Sequence, residues 1–262
     1  NFKNNRIVET EILHIDKERN IRDVYCDEDD NIKVVVVTGA GKAFCAGADM
    51  SGGGDTFDSL EDMDFSSCPL SFQGWDVRKP VIAALNGHAV GVGLGIAIQA
   101  DIRILAEEGK YGFLQNRRGV VADFAVEYVL PRMIGMERAF EMVVRAVRLS
   151  GQEAKEWGLA SRCVPAADVL DTALEIARDM AMNCSPLVMG IHKRLLWQGQ
   201  QMGLNDFIKL ETDMLHHTMG RADAVEGGMV SVEEIVDCGT VVVEDEASAW
   251  VDMRDCVLEA AA

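Results

Sequence analysis

The chain of 262 residues is 48% hydrophobic and 26% charged, with 24 glycines and only 5 prolines; this is the balance of a globular protein, and no apolar run reaches the ~20 residues that a membrane helix needs. A formal net charge of −18 opposes nucleic acid and anionic membrane surfaces, which demand basic patches, but leaves room for an anionic small molecule in a locally basic pocket. The length permits one large core, or one core with a smaller helical appendage.

The seven cysteines (Cys26, Cys45, Cys68, Cys163, Cys184, Cys238 and Cys256) are odd in number and scattered, without C-x-x-C spacing. They fit neither a disulfide scaffold nor a zinc site and suggest a reducing intracellular compartment, either cytoplasm or an organelle matrix. The charged stretch after Asn1 shows no signal-peptide pattern, and a start at Asn instead of Met is compatible with a missing natural N-terminus.

Residues 7–26 carry apolar residues at helical spacing and predict a helix, and the β-branched run 33–38 predicts a buried strand ended by Gly39. From Ser51 to Ser67 glycine, aspartate and serine dominate, which predicts a mobile loop. Val81–Leu85 and the DIRILA segment at 101–106 are strand candidates on either side of the glycine-spaced GHAVGVGLGIAIQ, so the first half reads as α/β. Beyond residue 120 the pattern is almost wholly helical, over roughly 122–130, 136–146, 151–158, 166–182, 185–200, 203–218 and 221–234. No internal repeat is visible.

The glycines of TGAGKAF, Thr38–Phe44, follow a strand, but Phe44 stands where a dinucleotide fingerprint needs its third glycine, and the P-loop spacing and hydroxyl are also missing. A nucleotide cofactor is therefore not expected. His88 reads as a packed, hydrogen-bonded histidine, and His14, His192, His216 and His217 have no partners at triad or metal-site spacing. Cys45 has no local base and reads as a small core residue. Met133, Met136, Met142 and Met180 read as core or subunit contacts.

FCAGADM (Phe44–Met50), followed by KPVIAALNGHAVGVGLGIAIQAD (Lys79–Asp101), resembles the two signature segments of the crotonase, or enoyl-CoA hydratase/isomerase, superfamily. The resemblance continues through YGFLQNRRGVVADFAVEYVLPRMIG (Tyr111–Gly135) and LSGQEAKEWGLASRCVP (Leu149–Pro165) to about Glu234; the family's N-terminal strands are not evident, and the acidic end 235–262 has no counterpart. The implied fold is α/β, a ββα superhelix over 1–200 with a C-terminal helical trimerisation region over 201–262. Trimers or dimers of trimers are implied as well, and the apolar faces of 166–182 and 203–218 are compatible with them.

The implied chemistry is the binding of an acyl-CoA thioester, itself the substrate, with no further cofactor and no metal. Small residues let the backbone approach a ligand closely, and the first N–H groups of a helix lack internal partners; the resemblance assigns the oxyanion hole to the N–H groups of Ala48 and Val92. It places CoA against Lys42, Ala43, Phe44, Ala46, Ala48, Asp49 and Met50. Lys42, Arg78 and Lys79 are candidates for meeting CoA phosphates, or else ordinary surface cations.

The resemblance also bears on the reaction. Family hydratases hold one water between two glutamates, but the matching positions here are Gly95 and Gln115, neither of which accepts a proton at neutral pH. Asp123 matches the single glutamate of the family's Δ3,Δ2-enoyl-CoA isomerases, and Tyr128, Arg132 and Gly135 echo the same segment. One carboxylate suffices to move a proton between two carbons, and burial among Val120, Val121, Ala122 and Phe124 should raise its basicity. The alternative role for Asp123 is a helix N-cap; Glu127, four residues on, is a second candidate acid. The expected reaction is thus the shift of a 3-enoyl-CoA double bond to 2-enoyl-CoA. The alternatives are a hydratase or hydrolase using Asp123 and Glu127, or a non-catalytic acyl-CoA-binding subunit. An RNA-binding branch of the family fits poorly with the negative charge.

Overall fold

Arg6–Ile12 forms a strand, β1, where the spacing of 7–26 predicts a helix. Val8, Thr10 and Ile12 alternate with Glu9 and Glu11, a period of two, and β1 runs parallel to β2 (Ile32–Gly39) with Val8 opposite Val35 and Ile12 opposite Gly39. Its hydrogen-bond partners lie some distance along the chain, so no local window reveals them. An N-terminal strand parallel to β2 is therefore present, where the sequence shows none. The structure, a computed structural model, describes residues 6–12 (as backbone), 29–47 and 73–227. The predicted mobile loop 51–67 and the acidic end 235–262 fall outside the described residues. The chain divides into two units, 1–217 and 218–262.

In the first unit the strands continue with β3 (Ala43–Cys45), β4 (Val81–Leu85), β5 (His88–Val90), β6 (Ile102–Ala106), β7 (Lys110–Gly112), β8 (Leu149–Ser150) and β9 (Arg162–Val164). Among the described residues they form a parallel sheet in the order β1-β2-β4-β6-β9 and a second sheet, β3-β5-β7-β8, in which only β8 is antiparallel. Successive passes of the chain thus give one strand to each sheet: β2 then β3, β4 then β5, β6 then β7. Helices follow the second strand, α1 (Val92–Ile98) after β5, and α2 (Val126–Ile134) with α3 (Met136–Val143) after β7. This is the expected α/β fold, a ββα spiral. The two short strands β8 and β9 lie in gaps between the helices predicted for the second half, which reads as almost wholly helical. Two or three residues are too few to show a period.

The runs of β2, β4 and β6 are apolar without alternation because their sheet is buried on both faces. Val34, Val36, Ile82, Ala84, Ile104 and Ala106 pack against α5 (Val169–Asn183) through Val169, Ala173, Leu174 and Ala177. The intervening Val35, Ala83, Leu85 and Leu105 face the main core, with Leu94, Ile98, Tyr111, Phe113, Val126 and Leu130. Helix starts follow local chemistry where the sequence carries it. Ser150 and Glu153 make a reciprocal capping box on α4 (Gly151–Trp157), and Ser185 caps α6 (Pro186–Gly199) ahead of Pro186. α7 (Leu204–Thr218) follows; in the second unit the described element is the short helix α8 (Ala222–Gly227).

Lys193 of α6 ties that helix to the sheet. Its ammonium, 4% exposed, lies 2.8 Å from Asp101 Oδ2 and donates to the carbonyl oxygens of Gly74 and Lys79 at 2.8 and 2.9 Å. Asp101 also accepts from the Val81 N–H at 2.7 Å and from Trp197 Nε1 at 2.9 Å. The cluster is thus well hydrogen-bonded, the condition under which a buried ion pair is tolerated. Among the described residues, no helix is long and apolar enough to cross a membrane.

Candidate functional site

The two signature segments are brought together by strand pairing: β3 lies parallel to β5, with Ala43 opposite His88 and Cys45 opposite Ala89. Asn86 stitches the turns before them. Its Oδ1 accepts from the Gly39 N–H at 3.1 Å, and its Nδ2 donates to the Gly41 carbonyl at 3.0 Å. Two glycines allow closer approach. A β-carbon on Gly93 would stand 2.3 Å from the Cys45 carbonyl oxygen, and one on Gly47, whose φ is +96°, 2.9 Å from that of Val90. Only glycine lets α1 sit this close to the chain that leads into Ala48. Ala48, Asp49 and Met50 themselves lie outside the described residues.

Val92 opens α1 after Gly91, whose φ of 57° is in the left-handed region. The α1 N–H groups begin to bond at Leu94, which donates to Gly91 O at 3.1 Å, so those of Val92 and Gly93 have no backbone acceptor among the described residues. Gly93→Ala is expected to push α1 away from Cys45 and to lower the thermal midpoint by several degrees, which melting curves check.

Asp123 follows the 3-10 turn Gln115–Arg118 and precedes α2. Its Oδ1 accepts a hydrogen bond from Gln115 Nε2 at 3.3 Å. Burial is the largest influence on this carboxyl and pushes it above the usual carboxylate range, with the nearby charge of Glu127 acting in the same direction; hydrogen bonds from its own backbone and from Gln115 pull the other way. The alternative role as N-cap is corrected here. The cap of α2 is Ala125, no side chain bonds to it, and the helix begins at Val126 and not near 122. Phe124 and Ala125 have φ of +58° and +54°, a conformation costly for residues with side chains, and it stops the helix from reaching back to Asp123. Glu127 is exposed in the first turn of α2 and shares no helical face with Asp123. Tyr128 and Arg132 pair with each other on α2, the guanidinium 3.7 Å from the ring centroid.

The backbone turn at 124–125 has a second consequence. It drives the Phe124 side chain, 1% exposed, against Gly95, where a β-carbon would stand 3.1 Å from Phe124 Cβ and Cδ2. The space beside position 95, where the resemblance places one hydratase glutamate, is therefore filled by an aromatic ring. At the other glutamate position, the Gln115 carboxamide packs over Gly91. A β-carbon there would be 3.6 Å from Nε2 and 3.8 Å from Oε1. The local sequence shows Gly95 and Phe124 but not that they meet; two adjacent positive-φ residues other than glycine leave no signal.

The other candidates scatter around this cluster. Lys42 and Ala46 are exposed and Ala43 is half-buried, whereas Phe44 is in the core and leaves a ligand only its backbone. Lys79 donates to the Asp29 carbonyl, and Arg78 lies with it on the wall of a cavity of about 810 Å³ that Trp75, Tyr128, Leu187 and Trp197 also line. Asp123, Gln115 and Val92 do not line that cavity. His88 is exposed, and its Nδ1 accepts from the Lys110 N–H at 3.0 Å, a backbone role. Cys45 is partly buried and packs against the core. Among the described residues no group of His, Cys, Asp and Glu side chains is placed to hold a metal ion.

Residues 22–236 match the family model described as enoyl-CoA hydratase/isomerase. An enoyl-CoA hydratase of Alternaria alternata is 39% identical over 177 residues, 66% of this chain and 59% of that protein, so the match spans somewhat under two thirds of the relative's length. A crystal structure of a probable enoyl-CoA hydratase/isomerase from Mycobacterium abscessus superposes with a TM-score of 0.77 at 40% identity, covering 85% of each chain. A monofunctional enoyl CoA isomerase from M. smegmatis superposes with a TM-score of 0.60 at 30% identity, covering 72% of this chain and 82% of that one.

Proposed function

Since the chain belongs to the enoyl-CoA hydratase/isomerase family, we propose that it binds an acyl-CoA thioester and shifts a 3-enoyl double bond to the 2-position, with Asp123 as the one proton carrier. The observation that carries this reading is the pairing of Gly95 with Phe124. It fills the place of one hydratase glutamate with a ring, Gln115 replaces the other, and a half-buried carboxylate of raised pKa remains beside the amide.

In this mechanism the thioester oxygen lies against the N–H groups of Ala48 and Val92. Asp123 takes a proton from C2, and the electrons move into the carbonyl to give a dienolate whose negative oxygen those donors stabilise. Return of the proton to C4 forms the C2–C3 double bond. Atoms balance, and Asp123 ends as it began. Preorganised donors of this kind are worth about 3–4 kcal/mol each in rate terms. A carboxyl pushed up by burial holds the proton between the two steps better than an ordinary one.

A second reading follows from the hydratase name of the Alternaria relative: water is added, with Asp123 and Glu127 activating it. The exposure of Glu127 weighs against it, because a side chain open to solvent is poorly placed to hold one water in a fixed position against Asp123. Incubation with 3-enoyl-CoA and, separately, 2-enoyl-CoA distinguishes the two. Gain of conjugated thioester absorbance at unchanged mass is expected. Consumption of 2-enoyl-CoA with the mass of one water added would overturn the isomerase reading. Silence with both, while CoA esters still bind, would leave a non-catalytic acyl-CoA binder. Self-association as trimers or dimers of trimers belongs to the same proposal, and sedimentation of the purified protein tests it.

A further inference from the structure

Gln115 stands out in the described structure because its Oε1 is buried without any hydrogen-bond partner while its Nε2 is engaged by Asp123 at 3.3 Å. A buried carbonyl oxygen left without a partner is costly, so its survival calls for a role. The carboxamide lies beside Gly91, where a β-carbon would stand 3.6 Å from Nε2; the missing side chain leaves the amide room to turn. Of the two ends, only Nε2 has a bond to lose.

We infer that Gln115 is a positioning residue that serves Asp123 in both of its protonation states. When Asp123 is a carboxylate, Nε2 donates to Oδ1 and leaves Oδ2 as the oxygen that takes the proton. When Asp123 is a carboxylic acid, a half-turn of its carboxyl brings the new O–H to the amide, the carboxamide turns end for end, and Oε1 accepts that O–H until both turns reverse and the proton leaves. The turn breaks no bond at Oε1, because none exists there. A carboxamide can do this because it carries a donor and an acceptor on one rigid plane; a guanidinium offers only donors and an ionised carboxylate only acceptors. The charged group that acts on Asp123 is Glu127 on α2, which opposes ionisation. It does not combine a donor and an acceptor as the carboxamide does.

The inference rests on the proposed proton-carrying role of Asp123, but its test need not use turnover. The carboxyl carbon of Asp123 is titrated by NMR in the whole protein, with Asp123→Asn used to assign the signal, and compared in Gln115→Met and Gln115→Asn. Methionine fills the volume with no donor; asparagine keeps the carboxamide but falls short of Oδ1. Both variants lose the bond to each form of Asp123, but the charge-assisted bond to the ionised form is the stronger one, so its loss dominates and should raise the proton affinity of Asp123 about fivefold, an upward move of about 0.7 pH unit. In the wild-type protein the Gln115 side-chain amide resonances should shift with the same midpoint. Amide resonances that ignore the titration, or a midpoint unmoved in both variants, would overturn the inference. If the midpoint moves while 3-enoyl-CoA is left unchanged, the positioning role stands and the isomerase reading fails.

Discussion

Asp123→Asn is expected to abolish turnover of 3-enoyl-CoA, by about 10²–10⁴-fold in kcat, the usual contribution of a positioned acid–base group, while KM and thermal stability change little. Asparagine has nearly the same shape, so Gln115 can still bond to it, and no cavity opens. It cannot take up a proton. The wild-type pH profile should show the same group. With the carboxylate as the base of the proposed mechanism, activity should rise with pH through the midpoint of Asp123 and be lost below it. Burial and Glu127 raise that midpoint, and the acid limb should therefore lie above the usual carboxylate range. An acid limb at ordinary carboxylate pH, or an Asp123→Asn protein that still turns over, would remove Asp123 from the mechanism.

The largest effect on stability is expected from Asp101→Asn. Lys193 is almost fully buried, and its ammonium relies on the carboxylate 2.8 Å away. The substitution leaves that ammonium with the carbonyl oxygens of Gly74 and Lys79. It also weakens the acceptor for Val81 N–H and Trp197 Nε1. Breaking a buried pair from one side costs about 3–5 kcal/mol; because the Asp101 side chain is 20% exposed, a value near 3 is expected. Denaturant unfolding measures it. The double variant Asp101→Asn, Lys193→Met should recover part of the loss, because it removes the stranded charge.

The same cluster shows what a local reading cannot reach. Asp101 and Lys193 stand far apart in the sequence, and nothing about either distinguishes it from a surface charge. β1 was hidden for the same reason: its partner strand supplies its bonds, and its short alternation also fits a helix.

What the sequence determined by itself was the chemistry that is possible. Its signature segments carried the family and the ββα fold, the residues at 95 and 115 excluded a pair of glutamates, and Asp123 stood out as a candidate base, because residue identity alone decides which groups can hold a proton. Only the tertiary structure decided how those residues are arranged. The left-handed turn at Phe124 and Ala125 freed Asp123 from the helix, set a ring against Gly95 and kept Asp123 within reach of the Gln115 amide. Those relations are distances between side chains from different elements, and the packing of the two sheets and their helices sets them.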